Sequence, residues 1–179
     1  TASGNLPSLA ARIPCTHHVY TDDLNNPLFY SEPMDRLRSC VDVQLHSIHD
    51  LKAENKYHTM TAAYNDAIVR ADAAGSALIF LNADMVYSGG SFATLLELIQ
   101  QGKRCVEIEG FRVNKKPVEQ ALGKYRDACV GASDLVKLAL ANIHPISLCH
   151  FWEPEADDGF IPFHTYWRAE HGLVARASH

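Results

Sequence analysis

Apolar residues recur along this chain with two different periods, and the changes of period predict alternating strands and helices. Val41, Val43 and Leu45 alternate with polar residues, as expected for a strand with one polar face. From Thr59 the period becomes helical and predicts a helix that ends at Gly75. The apolar face of this helix comprises Met60, Tyr64, Ala67, Ile68 and Ala71. Residues 91–101 repeat the helical period with Phe92, Leu95, Leu96 and Ile99.

Between these two helices lies a short apolar run, Ala77–Leu81, that is typical of a strand buried on both faces of a parallel sheet. The run stops at Asn82 and Asp84, and Gly89-Gly90 then leads into the next helix. Since ligands of open α/β sheets bind at the carboxyl ends of the strands, the position of Asp84 predicts a functional site. Its carboxylate suits a hard divalent cation that also binds phosphate oxygens. The alternative is that Asp84 caps a turn, because Asp favours strand exits for local hydrogen-bonding reasons.

The remaining periodicity completes an alternation of strands and helices. Further strands are predicted at residues 12–20, 104–113, 144–152 and 172–177, and further helices at 31–37, 117–129 and 133–142. This order indicates an α/β fold with a mostly parallel sheet and helices on both faces. Glu107 and Glu109 share one strand face, either as a metal or acid/base pair or, the favoured interpretation, as a solvated face. His46 and His49 have no partner at metal-ligand spacing and are predicted to be surface histidines.

Length and composition restrict the classes of protein that fit. A chain of 179 residues predicts one domain, residues 1–179, with a sizeable core. The net charge of −5, with no basic cluster larger than Lys115-Lys116, argues against a nucleic-acid-binding surface. No apolar run approaches the ~18 residues of a membrane helix, so no transmembrane segment is predicted. The start, Thr1–Gly4, has neither Met nor a signal pattern, and we expect the chain to be part of a longer protein.

The cysteines indicate a cellular compartment. Their number is odd, and no two of them form a C-x-x-C pair. Such cysteines are expected to be free thiols in a reducing environment, which predicts a cytoplasmic protein.

The residues around Asp84 carry a resemblance to a known family. Asn82-Ala83-Asp84, at the end of an apolar strand, resembles the D-x-D motif of nucleotide-sugar glycosyltransferases with the GT-A fold. The preceding segment, Tyr64 to Ala71 followed by Gly75, is similar to the Asn-containing helix that precedes D-x-D in that fold. The likeness covers about 40 residues, and it is a family-level likeness rather than an identification. The first acidic position of the motif is Asn82 here, which offers a carbonyl oxygen but no charge.

The resemblance implies a GT-A fold and a glycosyltransferase that moves a sugar from a nucleotide-sugar donor to an acceptor hydroxyl, on a glycan or another small molecule. The implied cofactor is Mn²⁺ or Mg²⁺, held by Asp84 and, late in the chain, by His179, since imidazole suits Mn²⁺. The alternative for His179 is a disordered terminal residue. The expected donor contacts are Thr16, Tyr20, Asn65, Asn82 and Arg112. The base that activates the acceptor is expected among Glu153, Glu155, Asp157 and Asp158.

The segment from Phe160 to Trp167 is dense in aromatic residues and leaves two interpretations open. Aromatic faces beside polar groups suit sugar recognition, and they equally suit a small core that closes the domain. A rival function also stays open, because Asn82 in place of an acid favours a non-catalytic carbohydrate- or nucleotide-binding module with the same fold.

Overall fold

The structure is a computed structural model, and it describes residues 4–51, 54–82, 84–108, 110, 112–125, 129–151, 164–170 and 172–177. The chain divides into two units. The first unit comprises Thr1–Val86 and Gly90–Lys103, and the second comprises Tyr87–Gly89 and Arg104–His179. The prediction of a single domain over 1–179 stays a prediction. None of the five cysteines forms a disulfide bond, and no helix of the described residues is long and apolar enough to cross a membrane.

The first unit is built on two parallel strands. Strand β1, Thr16–Thr21, pairs in parallel with β2, Asp42–Ser47, so that Thr16 lies opposite Asp42 and Thr21 opposite Ser47. Parallel strands need a crossover connection, and here it contains a 3₁₀ turn and a short helix. The helices of the unit are α1, Leu6–Ala10, α2, Glu32–Arg38, α3, Lys56–Ala73, and α4, Ser91–Gln100. The predictions of strands near 12–20 and 41–48 and of helices near 31–37, 59–74 and 91–101 are confirmed.

Helix α3 has clear start and stop signals. The Asn55 side chain accepts hydrogen bonds from the backbone N–H groups of Tyr57 and His58, at 3.0 and 3.1 Å, and so satisfies donors that the first turn leaves open. Gly75, with φ +60°, ends the helix in the left-handed conformation that favours glycine. These two residues set which turns of α3 lie beside the strands.

The core of the first unit contains the predicted face of α4 but only part of the predicted face of α3. Phe92, Leu95 and Leu96 are buried, as predicted. In α3 the buried residues are Ala63 and Ala67, whereas Met60 and Ile68 are exposed. The prediction for α3 was therefore wrong in part. The physical reason is that the helix presents its small alanines toward the strands, which rotates the larger apolar side chains outward.

The predicted central strand at Ala77–Leu81 is wrong, because these residues form no strand. Leu78 and Ile79 are half-buried, and Phe80 and Leu81 are exposed. An apolar run indicates burial, but a strand also requires a partner for its backbone N–H and C=O groups. Here the run lines a cavity that β1 also lines, instead of pairing with another strand.

The second unit combines helices with an antiparallel hairpin. Its helices are α5, Lys115–Leu122, α6, Ala132–Ala141, and α7, Pro145–Leu148, and its strands are β3, His164–Ala169, and β4, Gly172–Ala177. The strands pair antiparallel, with Ala169 opposite Gly172 at the turn. The predicted helix at 133–142 and strand at 172–177 are confirmed, and the helix that begins near Pro117 ends at Leu122, before a 3₁₀ turn.

Two strand predictions in the second unit are wrong. The described residues of 104–113 form no strand and contribute one isolated bridge, between Val113 and Ile143. The segment predicted as a strand from residue 144 instead begins with helix α7, because Pro145 occupies its first turn and the His144 side chain accepts a hydrogen bond from the Ile146 N–H at 3.1 Å. Overall, α/β is confirmed as the fold class. The mostly parallel sheet is not, since the sheets of the described residues are one parallel pair and one antiparallel pair.

Part of the aromatic segment packs as a small core. Tyr166 of β3 is only 3% exposed. Its ring lies against Phe151, with centroids 5.4 Å apart, and the Arg168 guanidinium lies 4.9 Å from the Phe151 centroid. Tyr166 therefore has the core role that was one of the two interpretations of this segment. Residues 152–163 lie outside the described residues.

A tight approach at Gly89 gives a stability prediction for the second unit. A Cβ atom at Gly89 would lie 2.7 Å from the Cys129 Cβ, and the Gly89 N–H donates to the Val130 carbonyl at 2.8 Å. We expect Gly89→Ala to lower the free energy of unfolding by about 1–3 kcal/mol, because the added carbon must displace its neighbours. Urea unfolding measures the change.

The matched control for that variant is Gly123→Ala. A Cβ at Gly123 has no atom within 4 Å, and its φ of −56° is open to any residue. This control is expected to leave stability unchanged or to raise it by up to about 1 kcal/mol. Equal stabilities of the two variants would contradict the predicted clash.

Candidate functional site

The first unit contains a cavity of about 1210 Å³. It is lined by β1, by α3 and α4, and by the segment from Ser76 to Asn82. Thr16, Tyr20 and Asn82, which the sequence predicted as donor contacts, all line this one cavity. Cavities that hold small molecules measure about 300–1,000 Å³, so this one has room for a ligand as large as a nucleotide sugar.

One face of the parallel sheet carries aromatic and titratable side chains. Alternate residues of a strand point to the same face, and the register places Tyr20 beside His46. The Tyr20 and His46 rings stack with their centroids 4.9 Å apart. His18 lies two residues before Tyr20, and its Nδ1 is 2.8 Å from the His46 Nε2. The strand register thus brings three side chains together, although His18 and His46 are 28 residues apart in the sequence.

Helix α3 adds an ion pair to this face. The Asp66 Oδ2 accepts a hydrogen bond from the Tyr20 hydroxyl at 2.6 Å and another from the Arg70 Nε at 2.6 Å. Asp66 and Arg70 are one helical turn apart, which brings their side chains together. We call His18, Tyr20, His46, Asp66 and Arg70 the Tyr20 cluster.

The contacts of the Tyr20 cluster hold its members in their ordinary charge states at neutral pH. The hydrogen bond from Arg70, and then that from Tyr20, lowers the pKa of the Asp66 carboxyl, so Asp66 stays an anion. Burial, and then the hydrogen bond to Asp66, raises the pKa of Tyr20 to about 12, so its hydroxyl stays a donor. The Tyr20 ring is consequently fixed at the cavity wall by its hydroxyl on one side and by His46 on its face.

The histidines of this sheet give a prediction for stability against pH. Burial is the largest cause that lowers the pKa of His17 and of His46 below the ordinary value of 6.5. Below pH 6.5 the unfolded chain therefore binds more protons than the folded chain, and stability falls as the pH falls. Above that pH these rings are neutral in both the folded and the unfolded chain, so they no longer make the stability depend on pH.

Urea unfolding at about pH 7.5 and 5.5 measures this effect. We expect His46→Gln to lose less stability over the interval than the unchanged chain. The control is His49→Gln, since His49 is exposed and outside the Tyr20 cluster. An equal loss of stability in His46→Gln and in the unchanged chain would contradict the assignment of this pH dependence to His46.

Asn82 and Asp84 lie in a turn next to the cavity. The Met85 N–H donates to the Asn82 carbonyl at 3.2 Å, and the Tyr64 hydroxyl donates to the Asn82 Oδ1 at 3.5 Å. The Tyr64 ring packs on Phe80, with centroids 4.6 Å apart, and this contact fixes the end of the apolar run. The side chain of Asp84 is exposed.

The turn offers oxygen atoms of the kind that a hard cation binds. Such a cation would take its other ligands from outside the turn. Asp84 offers a carboxylate, and the Asn82 Oδ1 keeps a lone pair beside its bond to Tyr64. No group of three or more His, Cys, Asp or Glu side chains placed to hold a metal occurs among the described residues. Mg²⁺ is commonly held by one or two carboxylates with phosphates and waters in its other positions, and this turn supplies one carboxylate, that of Asp84.

The other predicted site residues do not line the cavity in the part of the chain that the structure describes. Asn65 is exposed on α3, one residue from Asp66, and is not among the residues that line the cavity. Arg112 belongs to the second unit, where its side chain is exposed and its backbone N–H donates to the Ser147 hydroxyl at 2.9 Å. Outside the described residues lie Glu153, Glu155, Asp157, Asp158 and His179.

The sequence interpretation missed four members of the Tyr20 cluster. His46 was predicted to be a surface histidine, yet it is half-buried between His18 and Tyr20. The signals were the two-residue spacing of His18 and Tyr20 in a strand and the four-residue spacing of Asp66 and Arg70 in a helix. Neither spacing reveals the strand register that joins them.

Models of protein families give no match to this chain, and neither curated proteins nor solved structures give a significant one.

Proposed function

We propose that this chain is a glycosyltransferase of the GT-A type, which moves a sugar from a nucleotide-sugar donor to an acceptor hydroxyl. The observation that carries the proposal is the cavity of the first unit, which gathers Thr16, Tyr20 and Asn82 around a space large enough for the donor. The D-x-D-like turn lies beside this cavity. The cysteines, none of which forms a disulfide bond, support a cytoplasmic location for this reaction.

In this proposal Asp84 and Asn82 hold Mn²⁺ or Mg²⁺. The cation supplies a positive charge that offsets the charge developing on the leaving diphosphate. The protein's part is to place carboxylate and amide oxygens at the mouth of the cavity. Tyr64 supports it by fixing the Asn82 amide through its hydroxyl.

The side chains of the cavity wall bind and orient the donor. Tyr20 presents an aromatic ring whose orientation is set by Asp66 and His46, and an aromatic face of this kind binds flat, partly apolar groups. Thr16, at the other end of β1, offers a hydroxyl.

A second function is favoured by one observation, the donor set of the D-x-D-like turn. Asp84 is its single carboxylate, and Asn82 brings no charge. A non-catalytic module that binds a carbohydrate or a nucleotide needs no further charge, because it stabilises no leaving group.

Turnover separates the two functions. The chain is incubated with UDP-glucose, GDP-mannose or a CDP-linked sugar in the presence of Mn²⁺, and free nucleotide is measured with and without a mixture of candidate acceptor sugars. A glycosyltransferase releases nucleotide from one donor, faster with the correct acceptor, and Asp84→Asn abolishes the release. Binding of a donor without any release would support the binding module instead.

A further inference from the structure

The Tyr20 cluster contains a pair of histidines whose geometry limits how many protons it can hold. The His18 Nδ1 and the His46 Nε2 are 2.8 Å apart, with ring centroids 5.0 Å apart and ring planes 28° apart. Since the centroid distance exceeds the nitrogen distance by about two ring radii, the nitrogens meet along the ring edges, as in a hydrogen bond. One nitrogen must carry the proton and the other must accept it.

This requirement fixes the charge states of the pair. With both rings neutral, one N–H is shared between the facing nitrogens, and each ring keeps one further nitrogen. A proton added to the far nitrogen of the donating ring makes an imidazolium, and it strengthens the shared bond by giving it a charged donor. A second added proton would have to occupy the accepting nitrogen, and it would break the bond. The intact pair therefore takes up one proton from solvent and carries a charge of zero or plus one.

The pair lies where this charge reaches a ligand. His18 lines the cavity, as do Tyr20 and Arg70. Asp66 and Arg70 offset each other in an ion pair, so that the histidine pair is the part of the cluster whose charge changes near neutral pH. A diphosphate in the cavity would favour the charged state of the pair.

We infer that the His18–His46 pair is a one-proton switch in the cavity wall, which strengthens the binding of a diphosphate-bearing ligand as the pH falls. This inference rests on the proposed function for the identity of the ligand. Proton and ligand are linked reciprocally, so the ligand raises the proton affinity of the pair by the factor by which the proton raises ligand affinity. Uptake of one proton limits the change in affinity to about tenfold per pH unit.

Some of the charged and titratable groups around the pair favour its protonation, and others oppose it. On β1, Tyr20 stays neutral, whereas His17, which also lines the cavity, opposes the proton through charge repulsion with His18. On β2, Gln44 lies opposite His18 and donates to Asp42 at 2.8 Å. From α3, Asp66 favours the proton, whereas Arg70 opposes it. In the ligand-free chain burial, followed by Arg70 and then His18, lowers the pKa of His46. An anion in the cavity would act in the opposite direction.

The first arm of the test follows the two rings in the ligand-free chain by NMR, through their ring nitrogen and Cε1–H resonances. The resonances of the two rings are expected to change together, with one proton gained between them, as the pH is lowered from about 8 to 5. His18→Gln is expected to turn the titration of His46 into that of a single ring. Two independent protonations, one for each ring, in the unchanged chain would overturn the inference.

The second arm measures the affinity for UDP-glucose and GDP-mannose over the same pH range with Mg²⁺. Both phosphates of these donors are diesters and do not titrate in that range. Affinity is expected to rise as the pH falls, by no more than about tenfold per pH unit, and the rise is expected to vanish when His18 and His46 are both replaced by Gln but to persist in His49→Gln. A pH-independent affinity in the unchanged chain would overturn the switch. Absence of binding of both donors at every pH would contradict the proposed function, and the ring titration would then decide whether the pair holds one proton.

Discussion

Asp84→Ala is expected to abolish metal-dependent nucleotide binding while the first unit stays folded. Asp84 provides the one carboxylate of the D-x-D-like turn, and without it the Asn82 amide alone cannot hold a divalent cation beside a diphosphate. A ligand at a hundredfold excess over its dissociation constant stabilises the folded chain by about 2.7 kcal/mol, and this stabilisation is expected to disappear in the variant. Thermal unfolding with nucleotide and Mn²⁺ measures it.

The fold should tolerate this change because Asp84 is exposed. A surface substitution of this kind alters the free energy of unfolding by about 0.5 kcal/mol or less. The matched control is Asp72→Ala, an exposed carboxylate on α3 of the same unit, which is expected to keep the full stabilisation by ligand. Unchanged nucleotide affinity in Asp84→Ala would refute its assignment as a metal ligand.

The second large effect is expected for Leu96→Ala in the core of the first unit. Leu96 is 3% exposed and lies on the buried face of α4 with Phe92 and Leu95. Truncation removes buried methyl groups and leaves a void, which costs about 2–5 kcal/mol. Urea unfolding followed by circular dichroism measures the loss.

The control for the core variant is Leu28→Ala, because Leu28 is 60% exposed in the same unit. It is expected to change the free energy of unfolding by about 0.5 kcal/mol or less. Since Leu96 also lines the cavity, its replacement is expected to weaken ligand binding as well. Equal stability losses in the two variants would show that α4 does not pack as described.

Elements with local signals were predictable from the sequence. Helix α4 follows the Gly89-Gly90 turn and has a clean apolar stripe, and α6 begins after a break at Gly131. The β2 strand was predictable because its apolar and polar residues alternate. In an extended chain such an alternation places the apolar side chains on one face and the polar ones on the other. In each case the deciding information lies within one turn or one strand.

Elements that depend on distant partners were not predictable. The run Ala77–Leu81 has the composition of a buried strand, but strand formation also depends on pairing with a second segment. The segment from residue 144 was misassigned, since its apolar residues outweighed the helix-start signal of His144 and Pro145. Local capping was the stronger determinant there.

In the candidate site, too, some residues were predictable from the sequence, whereas the contacts between elements were not. Thr16, Tyr20 and Asn82 were predicted from the family resemblance, and the structure places all three around one cavity. The contact of Tyr20 with Asp66 and His46 depends on the β1–β2 register and on the rotation of α3. A sequence contains the spacing within each element but not the alignment between elements.

The central claim, a metal-assisted nucleotide site in the first unit, is tested most directly by one thermal-stability series. The chain is melted with UDP, GDP and CDP, each with and without Mn²⁺. The account predicts a rise in Tm with one of these nucleotides that requires the metal, because only the folded chain presents the site. No rise with any nucleotide, or a rise of equal size without Mn²⁺, would contradict the account.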